Sequence, residues 1–146
     1  MIREADLKDL PLLLEMGQAF LKETSYRAVL RYNEAQLSIM MTSLIQDDDG
    51  LLLVSDRDGV DGMMGMYVYE HPFSGDQMAA EAFWWMNTNV RGGSQAVRLL
   101  RRAEEWVREQ GVPLMHMVAP DERVGRLYER LGYRPMEVHF YKSGVA

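Results

Sequence analysis

The stretch from residue 79 to residue 110 constrains the fold of this chain more than any other segment. It contains an apolar run at 82–86, Ala-Phe-Trp-Trp-Met, that is rich in the aromatic residues favoured in buried strands. A turn with Gly92 and Gly93 follows, and apolar residues then recur at helical spacing over 96–107. The first N–H groups of a helix lack helical acceptors and carry partial positive charge. The segment therefore predicts a strand, a turn and a helix that bind a phosphate-bearing cofactor.

Arginine side chains cluster in the same segment of an otherwise acidic chain. The net charge is -6, yet residues 90–103 hold four arginines and no acidic residue: Arg91, Arg98, Arg101 and Arg102. Positive side chains near a helix N-terminus oppose the helix dipole, and a bound anion would reverse that cost. We interpret Arg91, which lies in the turn itself, as a phosphate ligand. For Arg101 and Arg102 a solvated helix face is an equal alternative.

Two short patterns carry a family resemblance. Residues 91–96 read Arg-Gly-Gly-Ser-Gln-Ala, and residues 121–133 read Asp-Glu-Arg-Val-Gly-Arg-Leu-Tyr-Glu-Arg-Leu-Gly-Tyr. They resemble the pyrophosphate loop Arg/Gln-x-x-Gly-x-Gly/Ala and the later signature Asn-x-x-Ala-x-x-Leu-Tyr-x-x-x-Gly-Phe of the GNAT superfamily of acyl-CoA-dependent N-acetyltransferases. Ser94 stands where the family usually has glycine, so we expect Gly93 to supply the tight turn. The resemblance is specific over residues 51–142 and topological before that.

We predict a single N-acetyltransferase domain of mixed α/β structure over residues 1–146. Helices are predicted after the capping residues Asp6, Asn33 and Asp121, and from Ala96. The order of elements matches the GNAT fold, a central, mostly antiparallel, twisted sheet with splayed central strands, flanked by helices. Strands are predicted at residues 1–4, 51–55, 63–70, 79–88, 114–119 and 136–142.

The resemblance implies acetyl-CoA as the co-substrate, bound where the strands at 79–88 and 114–119 splay apart. In the family the pantetheine arm of CoA pairs with strand amides like an additional strand. The pyrophosphate then lies on the turn and on the first residues of the helix. On this basis we predict that the cofactor contacts Met86, Asn87, Thr88, Arg91, Gly92, Gly93, Ser94, Gln95, Ala96 and Val97.

Two residues are candidates for proton transfer. At an ammonium pKa of about 10.4, roughly one lysine-like amine in 2,500 is neutral at pH 7, so the acceptor needs a base. Glu81 stands close to a glutamate of many relatives, and a solvated carboxylate at a strand end is an equal alternative. Tyr128 matches the family's general acid, which protonates the departing thiolate, and a packing tyrosine is the alternative. His116 is predicted to be a packed histidine of a buried strand.

The composition of the chain restricts the classes of molecule that it is expected to bind. The net charge of -6 argues against nucleic acid and favours cationic partners. The sequence shows no apolar run of about 18 residues and no signal-peptide pattern, so we expect no membrane contact. It contains no cysteine, which excludes a cysteine nucleophile, favours direct acyl transfer in a ternary complex and fits a cytoplasmic location. The three histidines lack the spacing of metal ligands, so no metal is expected.

The sequence leaves alternatives to this enzyme open. One is a GNAT-fold module that binds CoA or a partner without catalysis, which the departure at Ser94 favours. Another is a serine hydrolase, because residues 92–96 almost match the nucleophile elbow Gly-x-Ser-x-Gly, with Asp121 and His139 as candidate partners of Ser94. The acceptor, a small molecule or a protein that carries an amine, is not readable from the sequence. Dimerisation is frequent in the family, and the final strands are a candidate interface for a homodimer.

Overall fold

Five strands form one sheet in the order β1-β2-β3-β4-β5. Neighbouring strands from β1 to β4 pair antiparallel, and β5 pairs parallel with β4. This arrangement confirms the predicted mixed, mostly antiparallel sheet. The computed structural model describes residues 1–145, and its strands are β1 Ile2–Glu4, β2 Gly50–Asp56, β3 Val60–Glu70, β4 Gln77–Met86 and β5 Met115–His116.

Four α-helices flank the sheet within residues 1–145, and their N-terminal caps confirm the predicted starts. The Asp6 side chain accepts a hydrogen bond from the N–H of Lys8 and caps a 3-10 helix that leads into α1. Asn33 caps α2 and Asp121 caps α4, each through its side-chain oxygen. The helices are α1 Leu10–Glu23, α2 Glu34–Gln46, α3 Gln95–Glu109 and α4 Glu122–Arg130, with 3-10 helices at Leu7–Asp9, Ser25–Ala28 and Thr88–Val90.

The sheet carries a hydrophobic core on each face. β2 reads Leu-Leu-Leu-Val at 51–54, and all four side chains are buried because α1 and α2 cover one face while α3 and α4 cover the other. Each fully buried side chain of this size contributes on the order of 1.5–3 kcal/mol. The core on the α1 and α2 face includes Leu13, Met41, Leu52, Val54, Met63 and Phe83. The core on the α3 and α4 face includes Leu51, Leu53, Met64, Leu99, Leu100 and Tyr128.

A β-bulge interrupts β4 near its middle. Gly65 of β3 lies opposite Phe83, whereas the next residue, Met66, lies opposite Glu81. Ala82 is therefore an extra residue of β4 with no partner in β3. An extra residue bends the strand that carries it and increases its local twist.

Just before this bulge, β4 and β5 part. The two strands pair only at Ala79 and Ala80, and the N–H of Ala79 donates to the carbonyl of Leu114 at 2.9 Å. From Glu81 to Met86, β4 has no strand paired along this edge in the described part of the chain. The structure thus has the predicted gap between the two strands, with its apex at Glu81.

The predicted ends of both strands are corrected. β4 ends at Met86, so Thr88, which we placed in a strand, lies in a 3-10 helix. β5 has two residues instead of the six at 114–119, since the chain beyond His116 has left the edge of β4 and has no ladder to join.

The prediction of a strand at 136–142 is wrong. Apolar residues alternate there as in a strand, but the segment pairs with no other strand among residues 1–145. Alternation fixes which side chains share a face, while a strand also needs a hydrogen-bonding neighbour. Met136, Val138 and Phe140 are consequently 70%, 77% and 93% exposed.

Candidate cofactor and catalytic site

A buried hydrogen bond fixes the start of α3 against the sheet. Gln95 Nε2 donates to Ser55 Oγ at 2.9 Å, and both residues are buried. Ser55 lies opposite Gly62, which in turn lies opposite Met86 at the end of β4. The N-terminus of α3 therefore lies at the open end of the gap. The Gln95 side chain, which we predicted to contact the cofactor, is instead committed to Ser55, and only its backbone N–H faces the helix terminus.

Gly92, rather than Gly93, makes the tight turn before α3. Gly92 has φ +87°, in the left-handed region that favours glycine. Gly93 lies outside that region, and a Cβ added to it would meet only the carbonyl oxygen of Val90 at 3.7 Å, an ordinary contact. The expectation that Gly93 supplies the turn is wrong. Its missing side chain instead leaves the backbone open to close approach from solvent.

The first turn of α3 presents three backbone N–H groups that have no helical acceptor: those of Gln95, Ala96 and Val97. The first helical hydrogen bond runs from the N–H of Arg98 to the carbonyl of Ser94, at 3.0 Å. Ser94 occupies the N-cap position, and its side chain makes no capping hydrogen bond. The turn also contains no acidic side chain. This terminus can accept an anion such as a pyrophosphate.

The arginines of α3 divide into two sets. Arg101 pairs with Glu104 at 2.8 Å, and Arg102 lies 3.8–3.9 Å from two further glutamates of the same helix. These contacts agree with the solvated-face interpretation of Arg101, whereas Arg102 is half-buried. Arg98 is exposed and forms no ion pair within residues 1–145, so it remains available to an anion at the first turn.

Arg91 is held by three groups of the protein. Its Nε donates to the carbonyl of Met86 at 2.9 Å, and its Nη2 lies 2.8 Å from a carboxylate oxygen of Glu23 at the end of α1. Its guanidinium carbon lies 4.5 Å from the centre of the Trp85 ring. The predicted phosphate ligand thus already has an anionic partner in the free protein.

Backbone groups at the end of β4 face the gap in alternation. The N–H of Asn87 donates to the carbonyl of Asp61 at 2.9 Å, so it points towards β3 and is not available to pantetheine, which corrects our prediction. Because successive strand residues direct their backbone groups to opposite edges, those of Trp84 and Met86 face the gap. The carbonyl of Met86 accepts from Arg91, and its N–H faces the gap, where β4 has no strand partner among residues 1–145.

Glu81 and Tyr128 meet at the apex of the gap. Glu81 Oε1 accepts a hydrogen bond from the N–H of Val118 at 2.8 Å, and the Tyr128 hydroxyl donates to the carbonyl of the same residue at 3.1 Å. Tyr128 is buried in α4 and stacks on Trp84, with ring centres 6.0 Å apart. The fold therefore brings the two predicted proton-transfer residues together from β4 and α4.

The environment of this pair shifts both pKa values upwards. Burial raises the pKa of the Glu81 carboxyl from 4.5 to about 7, although the hydrogen bond from the N–H of Val118 opposes the shift. Burial and the neighbouring Glu81 raise the pKa of the Tyr128 phenol well above its usual range. Glu81 is thus suited to accept a proton near neutral pH, and Tyr128 stays protonated there.

His116 belongs to a separate aromatic cluster. Its Nε2 lies 2.7 Å from the Tyr69 hydroxyl, with the rings edge to face. Burial lowers the pKa of its imidazole, so the ring is neutral at pH 7. His116 lies opposite Ala80, the neighbour of Glu81, and on the other face of the sheet. His116 thus packs against Tyr69, as predicted, but the strand that carries it is half-buried rather than buried.

The structure does not assemble a serine hydrolase. Asp121 accepts from the N–H of Val124 as the cap of α4, and His139 bonds Glu137 at 3.2 Å. Ser94 forms no hydrogen bond to either residue in the described chain, so the predicted triad of Ser94, Asp121 and His139 is wrong. Among residues 1–145, no group of three or more histidine, aspartate or glutamate side chains is arranged to hold a metal ion. No helix there is long and apolar enough to cross a bilayer.

The gap, the glycine turn and the pair at Val118 lie in the segment that comparison with known proteins identifies. A sequence model of the acetyltransferase (GNAT) family matches residues 14–133, most of the chain. This protein belongs to the GNAT family. No curated protein sequence matches it significantly.

Solved structures share the fold of this GNAT chain at low sequence identity. A tetramutant of the BH1408 protein from Bacillus halodurans superposes with TM-score 0.79 and 18% identity, covering 97% of this chain and 98% of that one. A predicted acetyltransferase with acetyl-CoA from Clostridium acetobutylicum gives TM-score 0.79 and 14% identity, covering 98% and 95%. The aminoglycoside 6'-N-acetyltransferase AAC(6')-IG from Acinetobacter haemolyticus gives TM-score 0.77 and 18% identity, covering 100% and 99%.

GNAT proteins typically use acetyl-CoA, and the residues present fit it. The Trp84 indole Nε1 is buried and has no hydrogen-bond partner in the described chain, so it remains a donor for a ligand. The unpaired edge of β4 suits an extended amide-bearing arm, and the first turn of α3 suits a pyrophosphate. Gly92 and Gly93 leave the approach to that turn free of side chains.

The sequence analysis did not predict three residues of the site, namely Ser55, Glu23 and Val118. Ser55 is the single hydroxyl at the end of an apolar strand, a signal that a buried polar partner was needed. Glu23 lies 68 positions from Arg91, and no local pattern connects them. Val118 acts through its backbone, so its residue type carries no signal.

Proposed function

We propose that this GNAT protein is an N-acetyltransferase, which transfers the acetyl group of acetyl-CoA directly to a primary amine in a ternary complex. One observation carries the proposal: Glu81 and Tyr128 are bonded to the two backbone groups of Val118 at the apex of the gap between β4 and β5. A base and an acid thus adjoin the point that an extended ligand would reach from the N-terminus of α3.

The cofactor would lie along the gap. The unpaired N–H groups of residues 95–97 and the exposed Arg98 would hold the pyrophosphate, and the first turn carries no acidic side chain that would repel it. The gap-facing backbone groups of Trp84 and the N–H of Met86 would pair with the pantetheine arm as an additional strand. Acetyl-CoA, when bound, supplies the acetyl group and a thiolate leaving group.

Glu81 is the proposed base and Tyr128 the proposed acid. With its pKa near 7, the Glu81 carboxylate takes a proton from the acceptor ammonium, through water. The phenol of Tyr128 has a raised pKa, so by itself it is a weak acid towards a thiolate, whose reference pKa is about 8.5. Since Glu81 adjoins Tyr128, the proton that Glu81 has gained replaces the one that the phenol gives up. Forming the amide removes two protons from the ammonium nitrogen. One reaches the thiolate through Glu81 and Tyr128 and the other is released to solvent, so both residues recover their starting states.

We propose an acceptor that carries an ammonium group, on either a small molecule or a protein. The acidic chain, at net charge -6, favours a cation. Tyr67 and Tyr69, with ring centres 5.8 Å apart, extend the aromatic cluster of His116, and the faces of such rings attract cations. Structural neighbours are named as aminoglycoside and as ribosomal-protein-alanine N-acetyltransferases, so both acceptor types belong in the test.

Release of free CoA thiol from acetyl-CoA, measured over a panel of small amines and peptide N-termini, tests this function. We expect release that depends on one class of amine and that yields the acetylated amine by mass spectrometry. The competing proposal is a catalytically silent module. Binding of CoA with no amine-dependent release over the whole panel would establish that alternative.

The absence of cysteine and the use of acetyl-CoA support a cytoplasmic site of action.

We also propose a homodimer through the segment 134–145. Its alternating apolar side chains are 70–93% exposed at Met136, Val138 and Phe140, a pattern that pairing with a strand edge of a second copy would bury. The outer edge of β5 has no strand partner in the described chain and is the proposed acceptor edge. Light scattering is expected to give a dimer, and Phe140→Asp a monomer. A wild-type monomer at high micromolar concentration would refute this assembly.

A further inference from the structure

Arg91 connects the cofactor turn to the end of α1. Its Nη2 donates to Glu23 Oε2 at 2.8 Å, and the two side chains are 39% and 45% exposed. Glu23 is the last residue of α1, and the 3-10 helix at Ser25–Ala28 follows it almost directly. Through this one contact, the turn that precedes α3 holds the start of the segment 24–33, which joins the first two helices.

The remaining contacts of Arg91 leave little freedom for a second anion. Nε is bonded to the carbonyl of Met86, and the guanidinium plane lies over Trp85. A guanidinium binds an anion through two N–H groups along either the Nε and Nη2 edge or the Nη1 and Nη2 edge. Nη2 carries one N–H on each edge, and Glu23 accepts from one of them. A phosphate on Arg91 must therefore either take this N–H from the Glu23 carboxylate or bind directly beside it, where the two anions repel each other.

We infer that Glu23 competes with the pyrophosphate of the cofactor for Arg91, and that it sets the affinity for the cofactor by this competition. The inference rests on the proposed function, since it takes CoA as the ligand of the turn. Glu23 is a positioning residue here: in the free protein it holds the arginine over Trp85, and it loses that contact when the pyrophosphate binds. Because coupling between two sites is reciprocal, cofactor binding also weakens the attachment of the segment 24–33.

Isothermal titration with CoA tests the competition. Glu23→Gln keeps the size of the side chain and removes the charge, so CoA is expected to bind about two- to fivefold more tightly, the range that corresponds to an exposed ion pair. Pantetheine lacks the pyrophosphate, and its affinity should not change. Glu15→Gln removes the same charge from an exposed position of α1 that makes no ion pair in the described chain, and serves as the matched control.

The outcomes separate the inference from the proposed function. Equal CoA affinity in Glu23→Gln and Glu15→Gln would overturn the competition, as would an equal gain for pantetheine. In an Arg91→Ala background, Glu23→Gln should have no effect on CoA, and an effect that persists there also overturns it. A wild-type protein that binds no CoA overturns the proposed function as well.

Hydrogen exchange tests the second consequence. Saturating CoA is expected to speed amide exchange within residues 24–33 of the wild type by up to about fivefold, opposite to the slowing that a ligand usually causes. Glu23→Gln should exchange faster in this segment without CoA and show no further change with it. Slower exchange on CoA binding in both proteins would show that the end of α1 is not released.

Discussion

Glu81 and Tyr128 hydrogen-bond to the N–H and the carbonyl of the same residue, Val118. The peptide groups that would otherwise continue the pairing of β5 with β4 are thus occupied by two side chains. Glu81 takes the place of a strand partner at the point where the strands part. The proposed catalytic pair therefore also marks where the gap begins.

Tyr128→Phe is expected to lower turnover by about 10²–10⁴-fold, the usual contribution of a positioned acid. The ring keeps its stacking on Trp84, and the lost hydrogen bond to Val118 costs only about 0.5–1.5 kcal/mol of stability. CoA affinity should stay unchanged. Tyr133→Phe, which loses a hydroxyl bonded to Glu104 outside the gap, is the matched control. Normal turnover in Tyr128→Phe would leave Tyr128 a packing residue.

Glu81→Gln is expected to change how the rate depends on pH. In the wild type kcat should rise as pH increases through about 7, because the carboxyl of Glu81 with its raised pKa becomes a base there. The variant should lose this limb and turn over slowly at all pH values, with unchanged CoA affinity. Rate profiles from pH 5 to 9 with an accepted amine measure the difference. If kcat of Glu81→Gln still rises with pH near 7, the base is another group.

The raised pKa of Glu81 also predicts a pH-dependent stability. In the window between 4.5 and about 7 the unfolded state releases this proton while the folded state keeps it, so stability falls as pH rises. The effect is on the order of 2 kcal/mol, discounted for partial exposure. Glu81→Gln should remove this slope. Urea unfolding at pH 5 and pH 8 measures this effect: relative to the wild type, the variant should be more stable at pH 8 than at pH 5. The same difference in the free energy of unfolding at both pH values would contradict the raised pKa of Glu81.

The two glycines of the turn should respond differently to substitution. Gly92→Ala forces a side chain into the left-handed region and is expected to cost on the order of 1 kcal/mol of stability. Gly93→Ala meets only an ordinary contact and should fold normally. Gly93→Val should fold as well, yet abolish CoA binding by blocking the backbone approach to the phosphates. Thermal melts with and without CoA test both points, and CoA binding by Gly93→Val would refute the assignment of the turn.

Ser55→Ala is expected to destabilise the protein by about 1–3 kcal/mol, because it leaves the Gln95 amide buried without a partner. For a chain of this size each kcal/mol lowers the melting temperature by roughly 2–4 °C. Ser55→Ala combined with Gln95→Met removes both polar groups and should recover much of the loss. A double variant no more stable than Ser55→Ala would show that the hydrogen bond does not anchor the helix.

Local signals in the sequence predicted much of the fold. The caps Asp6, Asn33 and Asp121 mark helix starts because they act within three residues of themselves. Glu81 and Tyr128 were identified through motif positions, and the structure brings them together. The prediction of a strand at 136–142 was wrong because alternation of apolar residues does not show whether the edge of another strand lies alongside to pair with.

The side chains around the turn were not predictable in the same way. Motif spacing placed Arg91 and Gln95 beside the cofactor, but their partners Glu23 and Ser55 come from α1 and β2, far along the chain. Which glycine turns the chain depends on backbone torsion, and two adjacent glycines give no residue signal to choose between them. Contacts of this kind arise from tertiary packing, which overrides local pattern.

The hydrogen bond between Gln95 and Ser55 also predicts which substitutions homologous proteins accept at these two positions. Losing either partner leaves a buried polar atom unpaired, whereas exchanging both for apolar residues of similar shape is nearly neutral. Substitutions at the two positions should therefore be accepted as pairs across homologous lineages, one change making the other permissible. Such paired replacement would identify the anchor of α3 even in homologues whose loop departs from the usual motif, as this chain does at Ser94.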